Sequence, residues 1–105
     1  MPLDATFTRL PGQTVEAALD GTMTLGTSLK VLESQIRSAI AEGARHVILN
    51  MQSLSYMDSA GLGLLVLLNA EISGQGGTLT LRRVNERIMD LFKLTHANTI
   101  LKIEP

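Results

Sequence analysis

Residues 56–65 read YMDSAGLGLL, which sets a carboxylate and a hydroxyl, Asp58 and Ser59, side by side before an apolar run. Three kinds of chemistry fit such a pair. The first is structural: either side chain can accept hydrogen bonds from the free N–H groups at the start of a helix. The second is nucleophilic catalysis, which needs a base and an orienting acid beside the serine. DSAG is not the G-x-S-x-G elbow of α/β hydrolases, and only His46 and His96 are available as bases. Nothing in the spacing brings either histidine to Ser59, so hydrolysis fits poorly. The third is modification. A phosphate on Ser59 adds about −1.5 to −2 charge at neutral pH, and a helix N-terminus tolerates an anion through its free N–H groups and dipole. The added charge, reinforced by Asp58, falls on whatever docks over the helix end. About 1.4 kcal/mol of repulsion is tenfold in affinity, so a few kcal/mol makes a switch.

Gly61 and Gly63 follow within the first turns of that helix. Glycine costs about 1 kcal/mol relative to alanine in a helix. Close packing against a sheet accounts for the cost, and so does a partner surface approaching the backbone. From position alone, Gly61, nearer the cap, is expected to face a partner, and Gly63, beside the apolar run, to pack.

Other motifs carry less. Gly74 to Thr78, GQGGT, has the glycines of a phosphate loop but lacks its Lys-Ser/Thr, and it follows a helix where that motif follows a strand. It reads as a helix terminator. Arg82, Arg83 and Arg87 form a small basic cluster, a solvated face or an anion contact. The two histidines and scattered carboxylates have no metal-ligand spacing, and no cofactor is implied.

The elements that must position Asp58 and Ser59 follow from periodicity. Ala5–Leu10 and Thr14–Leu19 are short β-prone runs joined by Pro11-Gly12, a hairpin, with Asp20–Gly26 a loop. Thr27 or Ser28 is expected to cap a helix whose apolar stripe is Leu29, Leu32, Ile36 and Ile40, stopped by Gly43. Val47–Leu49 reads as a strand buried on both faces, and Met51–Asp58 as a connection. A second helix runs from Ser59 to before Gly74, a strand from Thr78 to Leu81, a third helix from a cap at Asn85, and a last strand from Thr99 to Ile103. The order ββαβαβαβ predicts a single α/β domain over residues 1–105 with a mostly parallel sheet. Functional groups in such sheets gather beyond the carboxyl ends of strands, where Met51–Ser59 lies.

Bulk composition narrows the partners. The 105 residues include 45% hydrophobic and 3% aromatic residues, so Leu, Ile, Val, Met and Ala must build the core. A formal charge of −1 gives no electrostatic reason to expect nucleic acid or an acidic membrane. The absence of cysteine fits a reducing cytoplasm and excludes thiolate chemistry. No secretory peptide is evident, and the longest apolar run, Ala60–Leu68, is far short of the roughly 20 residues a membrane span needs, so direct membrane insertion is not expected.

Arg45–Asn50, Leu54–Gly63 with its D-S-x-G-L-G core, Gly76-Gly77 and Leu91-Phe92 together resemble the STAS domain, and more narrowly the bacterial anti-sigma factor antagonists. The resemblance covers nearly the whole chain. It implies a sheet with helices mainly on one face. It also implies that Ser59 is the phosphoacceptor of an anti-sigma factor that is a serine kinase, with Asp58 helping to present it. In that family the unphosphorylated antagonist binds the anti-sigma factor and frees the sigma factor, and a serine phosphatase resets the cycle. The protein is then a binding module, not an enzyme. Aligning the glycine that ends the family's second strand with Gly21 puts Thr24 where an aspartate often stands, near the kinase-facing surface. Ala60 replaces a frequent second serine, and Ala60 and Gly61 join Asp58 and Thr24 as expected partner contacts. His96-Ala97-Asn98 replaces a usual Gly-Leu. Other roles within the family are a subunit of a stress-signalling assembly and a cytoplasmic subunit of a lipid-transport ATPase.

Overall fold

A computed structural model describes residues 2–105. The hairpin forms as expected: β1 (Asp4–Leu10) and β2 (Thr14–Met23) pair antiparallel across the Pro11-Gly12 turn. There follow α1 (Thr27–Ala41), β3 (His46–Met57), α2 (Ser59–Gly74), β4 (Thr78–Arg82), α3 (Glu86–Leu94), a single 3-10 turn at Ala97–Thr99 and β5 (Lys102–Ile103). The sheet order is β1-β2-β3-β4-β5, and every pairing from β2 onward is parallel.

The core lies on one side of this sheet. Val15, Ala17 and Leu19 of β2, Val47, Leu49 and Met51 of β3, and Leu79 and Leu81 of β4 point inward at alternate positions. They join Leu32 and Ile36 of α1, Leu65 and Leu68 of α2, and Ile88 and Phe92 of α3 in one apolar cluster. The opposite face carries Glu16, Asn50 and Arg82. There the Arg82 guanidinium bridges Glu16 Oε1 at 3.2 Å and Glu104 Oε1 at 3.0 Å. β3 is therefore not buried on both faces. Ile48 is half-buried because no helix covers the outer face at that point.

Two segments expected as loop are strand. Asp20–Met23 extends β2, and Met51–Met57 extends β3, and they pair with each other: Asp20 with Ser53, Gly21 with Leu54, Thr22 with Tyr56, Met23 with Met57. Register shifts between Ala18 and Asp20 and between Gly21 and Thr22 break the period-2 pattern. Inward residues of β3 consequently fall at Met51, Leu54 and Met57, a spacing of three that no strand template recognises.

Two boundaries also differ. Gly26, not Thr27 or Ser28, occupies the α1 N-cap, and no side chain bonds the helix start. Ser28 Oγ instead accepts from Leu3 N at 3.2 Å. The last strand keeps only Lys102–Ile103, because Ala97–Thr99 coils to bury Ala97. Asn85 does cap α3: its Oδ1 accepts from Ile88 N at 2.9 Å, while its Nδ2 donates to Leu54 O at 2.8 Å and ties the helix to β3.

Phe92 is the bulkiest fully buried side chain and joins α3 to the core. Phe92→Ala is expected to lower unfolding free energy by about 3–5 kcal/mol. Urea denaturation followed by circular dichroism checks this, and a loss under about 1 kcal/mol would show that α3 does not depend on the ring.

Candidate functional site

β2 and β3 end level, Met23 opposite Met57, and the chain leaves both ends on the same side of the molecule. Asp58, the residue after β3, closes this junction. Its N–H donates to Met23 O at 3.1 Å. Its Oδ1 accepts from Ala60 N and Gly61 N at 3.0 Å each, which caps α2. Its Oδ2 accepts from Leu25 N at 3.0 Å, which fixes the β2–α1 loop. The Leu25 and Gly61 N–H groups, in that order, hold the Asp58 carboxyl below its ordinary range and outweigh the desolvation that opposes them.

The cap is thus Asp58 alone. Ser59 is the first residue of α2, it is exposed, and its hydroxyl makes no hydrogen bond among the described residues. The side chain beside it takes the structural task and leaves the hydroxyl open for chemistry. Thr24 and Ala60 are half-buried, Thr24 in the loop that Asp58 holds and Ala60 against the edge of the core. The fold therefore brings Asp58, Ser59, Ala60, Gly61 and Thr24 to one corner.

The expected division between the glycines is reversed. Gly61 is buried, and a Cβ there would stand 2.5 Å from Met23 O and 2.9 Å from Met23 Cβ. It belongs to the inner stripe Gly61, Leu64, Leu65, Leu68 and Ile72. Gly63 is exposed, and a Cβ there would meet nothing within 4 Å. Gly61 is not a partner-facing residue; it lets α2 lie on the end of β2. Helical spacing from Leu64 and Leu65 back to Gly61 carried this signal, and proximity to the cap obscured it.

Neither histidine joins the site. His46 begins β3, at the far end from Asp58, and its Nδ1 lies 2.8 Å from Thr78 Oγ1. His96 follows α3 in the left-handed region at φ 61°. The basic cluster divides: Arg82 is ion-paired, Arg83 Nη1 donates to Gln52 Oε1 at 3.2 Å, and the Arg87 guanidinium lies 5.2 Å from the centroid of the Tyr56 ring. Sequence reasoning missed Leu25, which is 78% exposed beside Asp58. Its signal was a lone apolar residue in a loop of threonine and glycine. No described helix is long and apolar enough to cross a membrane.

Comparison with known proteins agrees with this architecture. The STAS domain family matches residues 11–105. An anti-sigma-B factor antagonist of Bacillus subtilis strain 168 is 36% identical over 64 residues, which is 61% of this chain and 59% of that protein. This stretch is thus less than two thirds of the relative's length. Among solved structures, a putative anti-sigma factor antagonist from Thermotoga maritima superposes with a TM-score of 0.85 at 20% identity, over 94% of this chain and 84% of that one. The anti-sigma factor antagonist SpoIIAA in its unphosphorylated form gives 0.76 at 22% identity over 97% and 88%. The phosphorylated form of the Bacillus SpoIIAA gives 0.75 at 22% over 97% and 92%.

Two outcomes follow from the site. Gly61→Ala is expected to cost about 1–3 kcal/mol by overpacking against Met23, whereas Gly63→Ala is expected to stabilise α2 by up to about 1 kcal/mol. Thermal melts of the two variants should move in opposite directions. The Asp58 carboxyl, depressed in the fold, contributes stability that is fully present above its unfolded pKa near 3.8 and is lost as pH falls through the lower folded value. Melting temperatures of wild type and Asp58→Asn should therefore differ by a constant amount at neutral pH and converge in acid. A gap that persists unchanged down to the lowest pH at which both fold contradicts the assignment.

Proposed function

The chain belongs to the STAS domain family, and on that premise we propose that it is an anti-sigma factor antagonist whose binding is switched by phosphorylation of Ser59. One observation carries the reading. Asp58 supplies the whole side-chain cap of α2, and the Ser59 hydroxyl stands exposed and unbonded on the first turn. Similarity to a protein named as an anti-sigma-B factor antagonist supports the reading.

Unphosphorylated, the corner formed by the β2–α1 loop and the start of α2 docks an anti-sigma factor, a serine kinase, and so releases its sigma factor. The kinase transfers the γ-phosphoryl group of ATP to the Ser59 oxygen, breaking the bond to the β-phosphate and releasing ADP and the hydroxyl proton. The product dianion sits at a helix N-terminus beside the Asp58 carboxylate. The helix end tolerates it, so the domain keeps its fold and the partner meets the charge. A serine phosphatase restores the binding form. The role is that of a cytoplasmic regulatory module without catalysis of its own, and neither a nucleic acid nor a membrane enters the cycle.

Peptide mapping of protein incubated with its anti-sigma factor and ATP is expected to find phosphate on Ser59. Phosphate confined to Ser53, Ser55 or another position overturns the assignment. Protein carrying phosphoserine at position 59 is expected to bind the anti-sigma factor at least tenfold more weakly, about 1.4 kcal/mol, with an unchanged circular dichroism spectrum. A lost helical signal would mean that the charge acts by unfolding.

A further inference from the structure

β1 is an edge strand of seven residues, paired to β2 along its whole length without a bulge. Among the described residues its outer side makes no backbone hydrogen bond. Edge strands are ordinarily blunted by shortness, proline, lysine, a bulge or a covering element, because a free row of N–H and C=O groups recruits another strand. The opposite edge follows that rule: β5 has two residues, starts at Lys102 and runs into Glu104 and Pro105. The centre of β1, Ala5-Thr6-Phe7-Thr8, has none of these devices, and its charges, Asp4 and Arg9, stand only at the flanks. Thr6 and Thr8 are exposed on the open sheet face. Phe7 is half-buried and borders a cavity of about 580 Å³ against Ser38, Ala39 and Glu42 of the α1 end.

We infer that β1 is a self-association edge whose occupant is β1 of a second copy, paired antiparallel about a two-fold axis at Thr6. The residues select this register. It sets Thr6 opposite Thr6 of the second copy, Ala5 opposite Phe7, and Asp4 opposite Thr8. Threonine pairs are favourable cross-strand partners, a small residue beside each Phe7 ring leaves room for it, and no like charges meet. An axis at Phe7 instead sets Ala5 against Arg9, whose guanidinium is already engaged by Glu42 at 3.0 Å, and Asp4 against Leu10. The even register keeps inward residues inward in both copies, so the two sheets become one with all helices on the same side. Ser59 stays free, because it follows β3, which is separated from the edge by β2. The inference is independent of the proposed switch.

The chain contains no cysteine, so a single introduced one reports alone. Directly opposed residues of an antiparallel pair have Cα atoms about 4.5–5.5 Å apart, within disulfide range. Under mild oxidation Thr6→Cys is expected to give a covalent dimer, while Thr8→Cys, opposite Asp4 rather than itself, stays monomeric. By light scattering on a sizing column, wild type is expected to dimerise as concentration rises from micromolar to millimolar. Thr6→Lys is expected to remain monomeric with an unchanged melting temperature. A wild type that is monomeric at millimolar concentration overturns the inference, as does a dimer indifferent to Thr6→Lys. Equal cross-linking at positions 6 and 8 overturns the register.

Discussion

Three N–H groups from two segments converge on one carboxylate, that of Asp58, and the geometry of the candidate site depends on that convergence. Ala60 and Gly61 belong to α2, and Leu25 belongs to the loop after β2. A helix start and a loop distant in sequence are thereby held at one spacing by a single side chain. The lowered pKa is the electrostatic face of the same fact, since the donors that fix the geometry also favour the anion. With Asp58 committed to the backbone, the neighbouring hydroxyl has no structural duty.

That convergence requires the backbone of α2 to come close to the end of β2, and Gly61 is where it does. Met23 O and Met23 Cβ occupy the space that any larger side chain would need. The one-sided sheet sets the same demand along the rest of α2. Leu64, Leu65, Leu68 and Ile72 fill the inner side, and Arg37 of α1 reaches Glu71 at 2.6 Å across the outer boundary between the two helices. The outer sheet face, without helices, is instead occupied by the Glu16–Arg82–Glu104 ion chain. A charged group at the helix start acts on a surface that packing already holds still. The proposed switch at Ser59 accordingly works through the electrostatics of docking rather than through rearrangement.

Much of the architecture was legible from local pattern. The helices of α1 and α2, the Asn85 cap, the Pro11-Gly12 hairpin and the order of elements all rest on interactions within a few residues, where propensity and periodicity speak directly. The Asp58-Ser59 pair at a helix start was legible in the same way, whereas the reading of Ser59 as a phosphoacceptor was implied by the family resemblance. The second halves of β2 and β3 were not legible. Asp20–Met23 and Met51–Met57 are strands only because they pair with each other, and the bulges in that pairing scramble the alternation of each.

The sequence by itself determined that a helix begins at Asp58-Ser59, that it is apolar nearly all round at first, and that the serine lies outside a G-x-S-x-G elbow. Those are properties of residue type and short-range spacing. Tertiary structure decided which of the two side chains caps, that Leu25 shares the cap, and that Gly61 rather than Gly63 lies inward. Each of these depends on how close the end of β2 comes to the start of α2. That distance is set by strand pairing across more than thirty residues of chain, to which no local pattern is sensitive.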